Sequence, residues 1–514
     1  MSAGPLLSAD DRADIQGFVL SGYGHLPSAA YLFVHVTDPD GARRWLSTIV
    51  PTVSSAAPWP GGPDGRTRKP ASSLNIAFTA DGLQAIGLPD RVVHTFSPEF
   101  QEGVGHRDRA GVLGDTGASA PEQWELGGPA QAAIHAVLFV HATSSEALDS
   151  LVDELQRGLA AAGGAVEAVR AGVQRGVVPV GHDEPFGFHD GMGQPAIRGL
   201  DGQGVPTGEF VLGHLNHYGL VPPVPVVPRE LDPRGLLPAL ANPHHEAGGW
   251  RDLGRNGTYV VYRKLQQDVA GFWRFMQSEA ARSGRAGDVE RMVWLAAQCV
   301  GRWPGGAPLV LSPGAPDPAL NSEDRFLYAS DPDGLACPLG AHIRRANPRD
   351  DLKPYPSQQS LSMSEAHRLL RRGRVFGPPL IDPQLLANPR APAAARLLDL
   401  DDDGVARGIH FLCVNASIAS QFEFVQQAWC NSPHFGGLHE NPDPLIGENG
   451  DPDRPGYMRM PTRRGGLKRT AALPRFVTVR AAAYLFMPSM AALRFLASGH
   501  DDRGASQPLA EALT

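Results

Sequence analysis

Tyr31-Leu-Phe-Val-His-Val36, followed by Thr37-Asp38-Pro39-Asp40 and then by Trp45, Leu46 and Ile49, is the stretch from which the fold can be read. The first six residues are short, mostly apolar and β-favouring, as a strand requires. The next four are good helix starters, and the three apolar residues after them share one helical face. The same design returns at Ala136–Val140 with Leu148, Leu151, Val152, Leu155 and Leu159. It returns again at Thr258–Tyr262 with Val269, Phe272, Trp273 and Met276, and at Ile409–Val414 with Ile418, Phe422, Val425 and Trp429. Leu74–Thr79, Val166–Gln174, Arg475–Arg480 and Ala483–Met487 supply further strands.

Strand, helix, two strands, helix, strand is the ferredoxin-like unit, and two units in one chain imply an internal duplication. The expected class is α+β, with two ferredoxin-like domains whose antiparallel sheets carry helices on one face. The Pro-rich segment Leu220–Pro238 marks the expected boundary, giving residues 1–220 and 221–514; a lid over the site is the other reading of that segment. Residues 280–325 and 431–470 are Pro/Gly-rich and poorly periodic, so both read as surface insertions, and the chain from about Gly499 reads as frayed.

The 514 residues are 42% hydrophobic and 19% charged, with a net charge of −8, a globular composition that disfavours nucleic acid and anionic membranes as partners. No apolar run is long enough to span a bilayer. No secretory signal is visible, and four cysteines without a Cys-x-x-Cys spacing make neither a disulfide framework nor a zinc knuckle. The expected compartment is the cytoplasm.

Chemistry concentrates in Phe186-Gly-Phe-His-Asp-Gly-Met-Gly-Gln-Pro195. One acid, Asp190, stands among three glycines and two phenylalanines, where burial would raise its pKa and suit it to acid–base work. An ordinary Asp-Gly turn is the competing reading. A second string, Cys337-Pro-Leu-Gly-Ala-His-Ile-Arg-Arg-Ala-Asn-Pro-Arg349, sets His342 before a run of arginines. Imidazole is a good iron ligand, and the cations could pair with acidic groups on a cofactor. Cys337 is the rival ligand, since a thiolate also holds iron.

Together these strings resemble the dye-decolourising peroxidases, which carry Gly-x-x-Asp-Gly and a proximal-histidine segment of this form. The resemblance runs from about residue 15 to about 495. It implies haem b held by His342, with Arg344 and the wall residues Ile409 and Phe411 also binding the cofactor, and with Asp190 and Arg371 as the catalytic pair. Arg371 comes from Leu370-Arg-Arg-Gly-Arg-Val-Phe-Gly377, where Val375 replaces the family's proline and Arg372 and Arg374 remain substitutes. Ile409 replaces a leucine in Arg407-Gly-Ile-His-Phe411. Asp443, in Asp443-Pro-Leu-Ile-Gly447, matches a carboxylate that accepts the ligand's other ring N–H, although Asn441 departs from the pattern.

The implied substrates are hydrogen peroxide and small one-electron donors such as dyes or phenols, with Trp429 and Tyr484 as relay residues or plain core. Assembly into a homo-oligomer is left open. An Asp in place of a distal His predicts activity that falls as pH rises past roughly 5. The alternatives are a haem carrier without turnover and a chlorite-decomposing relative. A hydrolase finds no Gly-x-Ser-x-Gly elbow here.

Overall fold

A computed structural model describes residues 7–61, 67–198, 200, 204–240, 249–462 and 465–498; the segment from Gly499 lies outside them. The first half contributes β1 (Ser28–Val36), β2 (Ser72–Phe78), β3 (Ala136–Ala142) and β4 (Val166–Val177). The second contributes β5 (Thr258–Gln267), β6 (Leu370–Arg371), β7 (Arg374–Phe376), β8 (Gly408–Asn415) and β9 (Val477–Met487). Within the halves the strands run β4-β1-β3-β2 and β9-β5-β8-β7, the same order twice, with every pairing antiparallel.

The two sheets do not stay apart. β9 meets β2 at Phe486 and Phe78, and β4 meets β7 at Val177 and Val375. One closed barrel results, which removes the open edges that two separate sheets would leave unpaired. The expected strands at Arg475–Arg480 and Ala483–Met487 are one strand, β9, with a register shift between Val479 and Ala481.

Tyr31 and Phe33 of β1 reach Tyr262 of β5, at 6.0 and 5.0 Å between ring centroids, although the two strands are not neighbours. These residues therefore fill the barrel interior. The alternate residues Leu32 and Val34 face outward, onto the helices α1 (Pro39–Ile49) and α2 (Ser145–Ala161). Asp38 caps α1 by accepting the Gly41 N–H at 2.9 Å, and Ser144 caps α2 through the Ala147 N–H at 3.2 Å. Trp45, Leu46 and Ile49 form the buried face of α1, as their spacing predicts.

The third helix, α3 (Val269–Arg282), follows β5 in the same way. Three further expectations differ from the structure, the first being residues 431–470, which read as a surface insertion but bury Asn441, Asp443, Asn449 and Met458. The segment 280–325 contains a regular helix, α4 (Val289–Val300), with Met292, Val293, Ala296, Ala297 and Val300 buried; flanking Gly and Pro mask its period in the sequence. After β8, residues 419–423 and 425–431 wind as π-helix rather than α-helix, a widened coil that recurs at functional sites.

Candidate active site

On β5, Arg263, Leu265 and Gln267 point away from the barrel interior, as do Ile409 and Phe411 on β8 and Val477 and Val479 on β9. Outside this sheet face lies a cavity of about 520 Å³, closed over by the 182–194 loop, residues 324–349 and the π-helical segment. That volume falls within the ~300–1,000 Å³ usual for small-molecule and cofactor sites. Asp190 and His342, 152 positions apart in the chain, both line it. No described residue of the 220–238 segment does, so that segment is not its lid.

Asp190 sits in a turn where Gly187, Gly191 and Gly193 have φ of +92°, +88° and +72°, a region open to glycine and strained for other residues. Arg371 Nη1 donates to Asp190 Oδ1 at 3.0 Å and Nη2 to the Met192 carbonyl at 2.8 Å, so one guanidinium holds both the acid and its loop. Burial pushes the Asp190 carboxyl up. Arg371, the Gly191 N–H and the nearby His342 outweigh it, and the pKa ends below the usual carboxylate value. This corrects the expectation of a raised pKa, which considered burial without the arginine.

The three clustered arginines separate cleanly. Arg372 donates to the carbonyls of Phe18 and Val19, and Arg374 to those of Gly22 and Tyr23, so both tie the N-terminal segment down. Of the three, Arg371 is the one bonded to Asp190.

His342 opens a short helix, α5 (His342–Ala346). Its Nδ1 lies 2.8 Å from Asp443 Oδ2, and the other Asp443 oxygen accepts the N–H groups of Leu445 and Ile446 at 2.8 and 3.0 Å. Asp443 is fully buried. Burial pushes His342 down and Asp443 pushes it up, with a net rise; the same pairing holds Asp443 below its usual value despite burial. With Nδ1 engaged, Nε2 is the ring atom left for a ligand. Asn441, the departure from the motif, is buried with its backbone carbonyl accepting from Arg345.

Arg344 is a correction. It is 1% exposed, does not line the cavity, and is consumed by Asp331, Asp351 and the carbonyls of Cys337 and Asp331, with its guanidinium 4.4 Å from the Tyr328 ring centroid. A cation this fully paired has no donor left for a cofactor. The arginines that line the cavity include instead Arg302, Arg349, Arg368 and Arg371, besides Arg263, Arg372, Arg374 and Arg475. Asp324 serves both Arg302 at 3.1 Å and Arg349 at 2.7 Å, and Asp190 serves Arg371. Arg368 donates to the Gly193 carbonyl at 2.9 Å; burial first, then Arg349, push it down to about 10. Eight guanidiniums against the four carboxylates of Asp115, Glu184, Asp190 and Asp324 make a lining suited to a ligand that brings its own acidic groups.

Cys337 is buried and off the cavity, and burial pushes its thiol up to about 12, which removes it as a thiolate ligand. Trp429 and Tyr484 are both buried; Trp429 packs against His367 and Phe424, and Tyr484 donates to Glu423 at 2.8 Å. Sequence reasoning passed over Glu184 and Gln267, which also line the cavity. Glu184 was visible as a second acid beside the Asp190 string, but Gln267 had no signal at all.

A family model described as the DyP dimeric alpha+beta barrel domain matches residues 14–174. The dye-decolorizing peroxidase of Exidia glandulosa is 28% identical over 95% of this chain and 87% of its own length. AauDyP1, the dye-decolorizing peroxidase of Auricularia auricula-judae, is 27% identical over 93% of this chain and 86% of its own.

The chain is similar to the dye-decolorizing peroxidases over most of its length.

A solved structure of an ancestral D-type dye decolorizing peroxidase superposes with a TM-score of 0.71 at 26% identity, covering 94% of this chain and 98% of that one. The barrel is thus the dye-decolorizing peroxidase fold, and the cavity on its second-half face belongs to an oxidoreductase of that type. Among the described residues, no helix is long and apolar enough to cross a membrane, and no cluster of three or more His, Cys, Asp or Glu forms a separate metal site.

Proposed function

We propose that this chain is a haem peroxidase that reduces hydrogen peroxide and oxidises dyes, phenols or similar one-electron donors. The observation that carries the reading is the single cavity lined by both an Asp190–Arg371 ion pair and an Asp443-oriented His342. The cavity fits haem b in three respects: its volume, a free imidazole nitrogen, and an arginine wall for the two propionates. His342 would hold the iron, and Ile409 and Phe411 would wall the ring. Arg368 and Arg349, both on the cavity wall, would pair with its acidic groups.

When bound, haem supplies the electrons that break the peroxide O–O bond and is restored by the donors. Asp190, ionised at neutral pH, takes the proton from the bound peroxide oxygen and gives it to the departing one. Arg371 stabilises negative charge on that departing oxygen and fixes Asp190 in place before peroxide arrives. Asp443 keeps the Nδ1 proton of His342, which leaves Nε2 as donor and strengthens it. Four free, buried cysteines suit a reducing compartment, and we place the protein in the cytoplasm.

The test is Asp190→Asn, measured by stopped-flow with peroxide. The expected result is an unchanged Soret band with a peroxide reaction slower by about 10²–10⁴-fold. A wild type as inert as the variant would instead favour the haem-carrier reading.

A further inference from the structure

The turn that carries Asp190 is closed by a second acid. Glu184 Oε2 accepts the Phe186 N–H at 3.1 Å, and Oε1 accepts the Phe188 N–H at 3.0 Å. Its own main chain closes the same turn, with Glu184 N–H to the Phe188 carbonyl at 2.9 Å and Gly187 N–H to the Glu184 carbonyl at 2.7 Å. From β5, Gln267 Nε2 donates to Glu184 Oε2 at 2.7 Å. A strand of the second half therefore grips the loop that follows the first half, and Trp273 of α3 adds a bond to the Phe186 carbonyl at 3.1 Å.

We propose that Glu184, gripped by Gln267, is the positioning residue of the Asp190 loop and a second proton-holding carboxylate beside it. The inference rests on the reading of Asp190 as the proton-transfer group.

The independent observation is Gln267 Oε1, which is buried without a hydrogen-bond partner. The two ends of an amide exchange by a half-turn. An ionised Glu184 accepts from the amide nitrogen, whereas a protonated Glu184 donates to the amide oxygen, so the strut survives in both states. Burial, with Asp190 adding like charge, pushes Glu184 up to about 7. The other titratable groups on this loop are His182, Asp183 and His189. The packed elements β5 and α3 present the uncharged Gln267 and Trp273, and Arg371 reaches Asp190 from β6. In the neutral range one proton moves between solvent and Glu184 while Asp190 stays ionised.

Infrared titration of the holoenzyme tests this without turnover. A protonated-carboxyl stretch is expected to disappear around pH 7 and to be missing from Glu184→Gln. In Gln267→Leu it should persist to higher pH, because the bond to the ionised form, charge-assisted and so the stronger of the two, is gone. In stopped-flow, the wild-type rate constant for peroxide should change across neutral pH. In Glu184→Gln it should be pH-independent there and lower by on the order of tenfold, as a displaced proton acceptor requires. A carboxyl band that survives Glu184→Gln, or a variant with the wild-type pH profile, overturns the proposal. If Glu184→Gln does not load haem, the direction of the Gln267→Leu shift decides it. A wild type inert to peroxide would sink the peroxidase reading, while the infrared band would still report on Glu184.

Discussion

With Asp190 as the proposed proton acceptor, its ion pair with Arg371 sets the acid limit of the chemistry. A carboxyl whose folded pKa lies below its ordinary value stays ionised until pH falls through that lowered value. Loss of the proton acceptor therefore belongs on the acid side, below about pH 4. The sequence reading, activity falling above roughly pH 5, does not follow from Asp190 once Arg371 is beside it. The peroxide rate constant of Glu184→Gln is expected to be level from about pH 5 to about 8; a fall across that window would assign the wrong protonation state to Asp190. Arg344 and Arg368 give a paired test. Arg344→Met strands Asp331 and Asp351 and should cost about 3–5 kcal/mol in urea unfolding, with porphyrin affinity unchanged. Arg368→Met should weaken binding of haem by on the order of tenfold and leave binding of its dimethyl ester nearly unaltered. The sequence could name arginines near His342. It could not say which of them the fold consumes.

At the scale of elements, the 186–195 loop is built on glycine. Gly191 has open space around it but a φ of +88°, so Gly191→Ala meets backbone strain without a steric clash. The expected cost is about 1–2 kcal/mol in urea unfolding, accompanied by a slower peroxide reaction with the Soret band retained. An unchanged peroxide rate would show that the turn tolerates a different backbone. Strands with two buried faces read clearly from sequence, and so did α1 and α2, whose apolar stripes match the helical period. Two elements did not. The sequence around α4 is punctuated by Gly284 and Gly287 before it and by Gly301 and Pro304 after it, and the coil after β8 has an apolar pattern that both α and π windings satisfy.

For the whole molecule, the two barrel seams join the halves at Phe486–Phe78 and Val177–Val375. Phe486 meets Phe78 across one seam and is fully buried against Phe96 and Tyr259. Phe486→Ala is expected to cost about 3–5 kcal/mol, read as a lower urea midpoint in a single unfolding transition of both halves. Two separated transitions would mean that the seam does not couple them. Periodicity by itself determined the duplicated strand–helix units, and two short strings singled out Asp190 and His342, which line one cavity, because strand spacing, glycine turns and a histidine beside small residues are local properties of a chain. Closure of two sheets into one barrel, the pairing of Asp190 with Arg371 rather than its neighbours, and the withdrawal of Arg344 into the core were decided only by tertiary structure. Each depends on which partner arrives from more than a hundred residues away or on what burial leaves unpaired, and no local pattern records either.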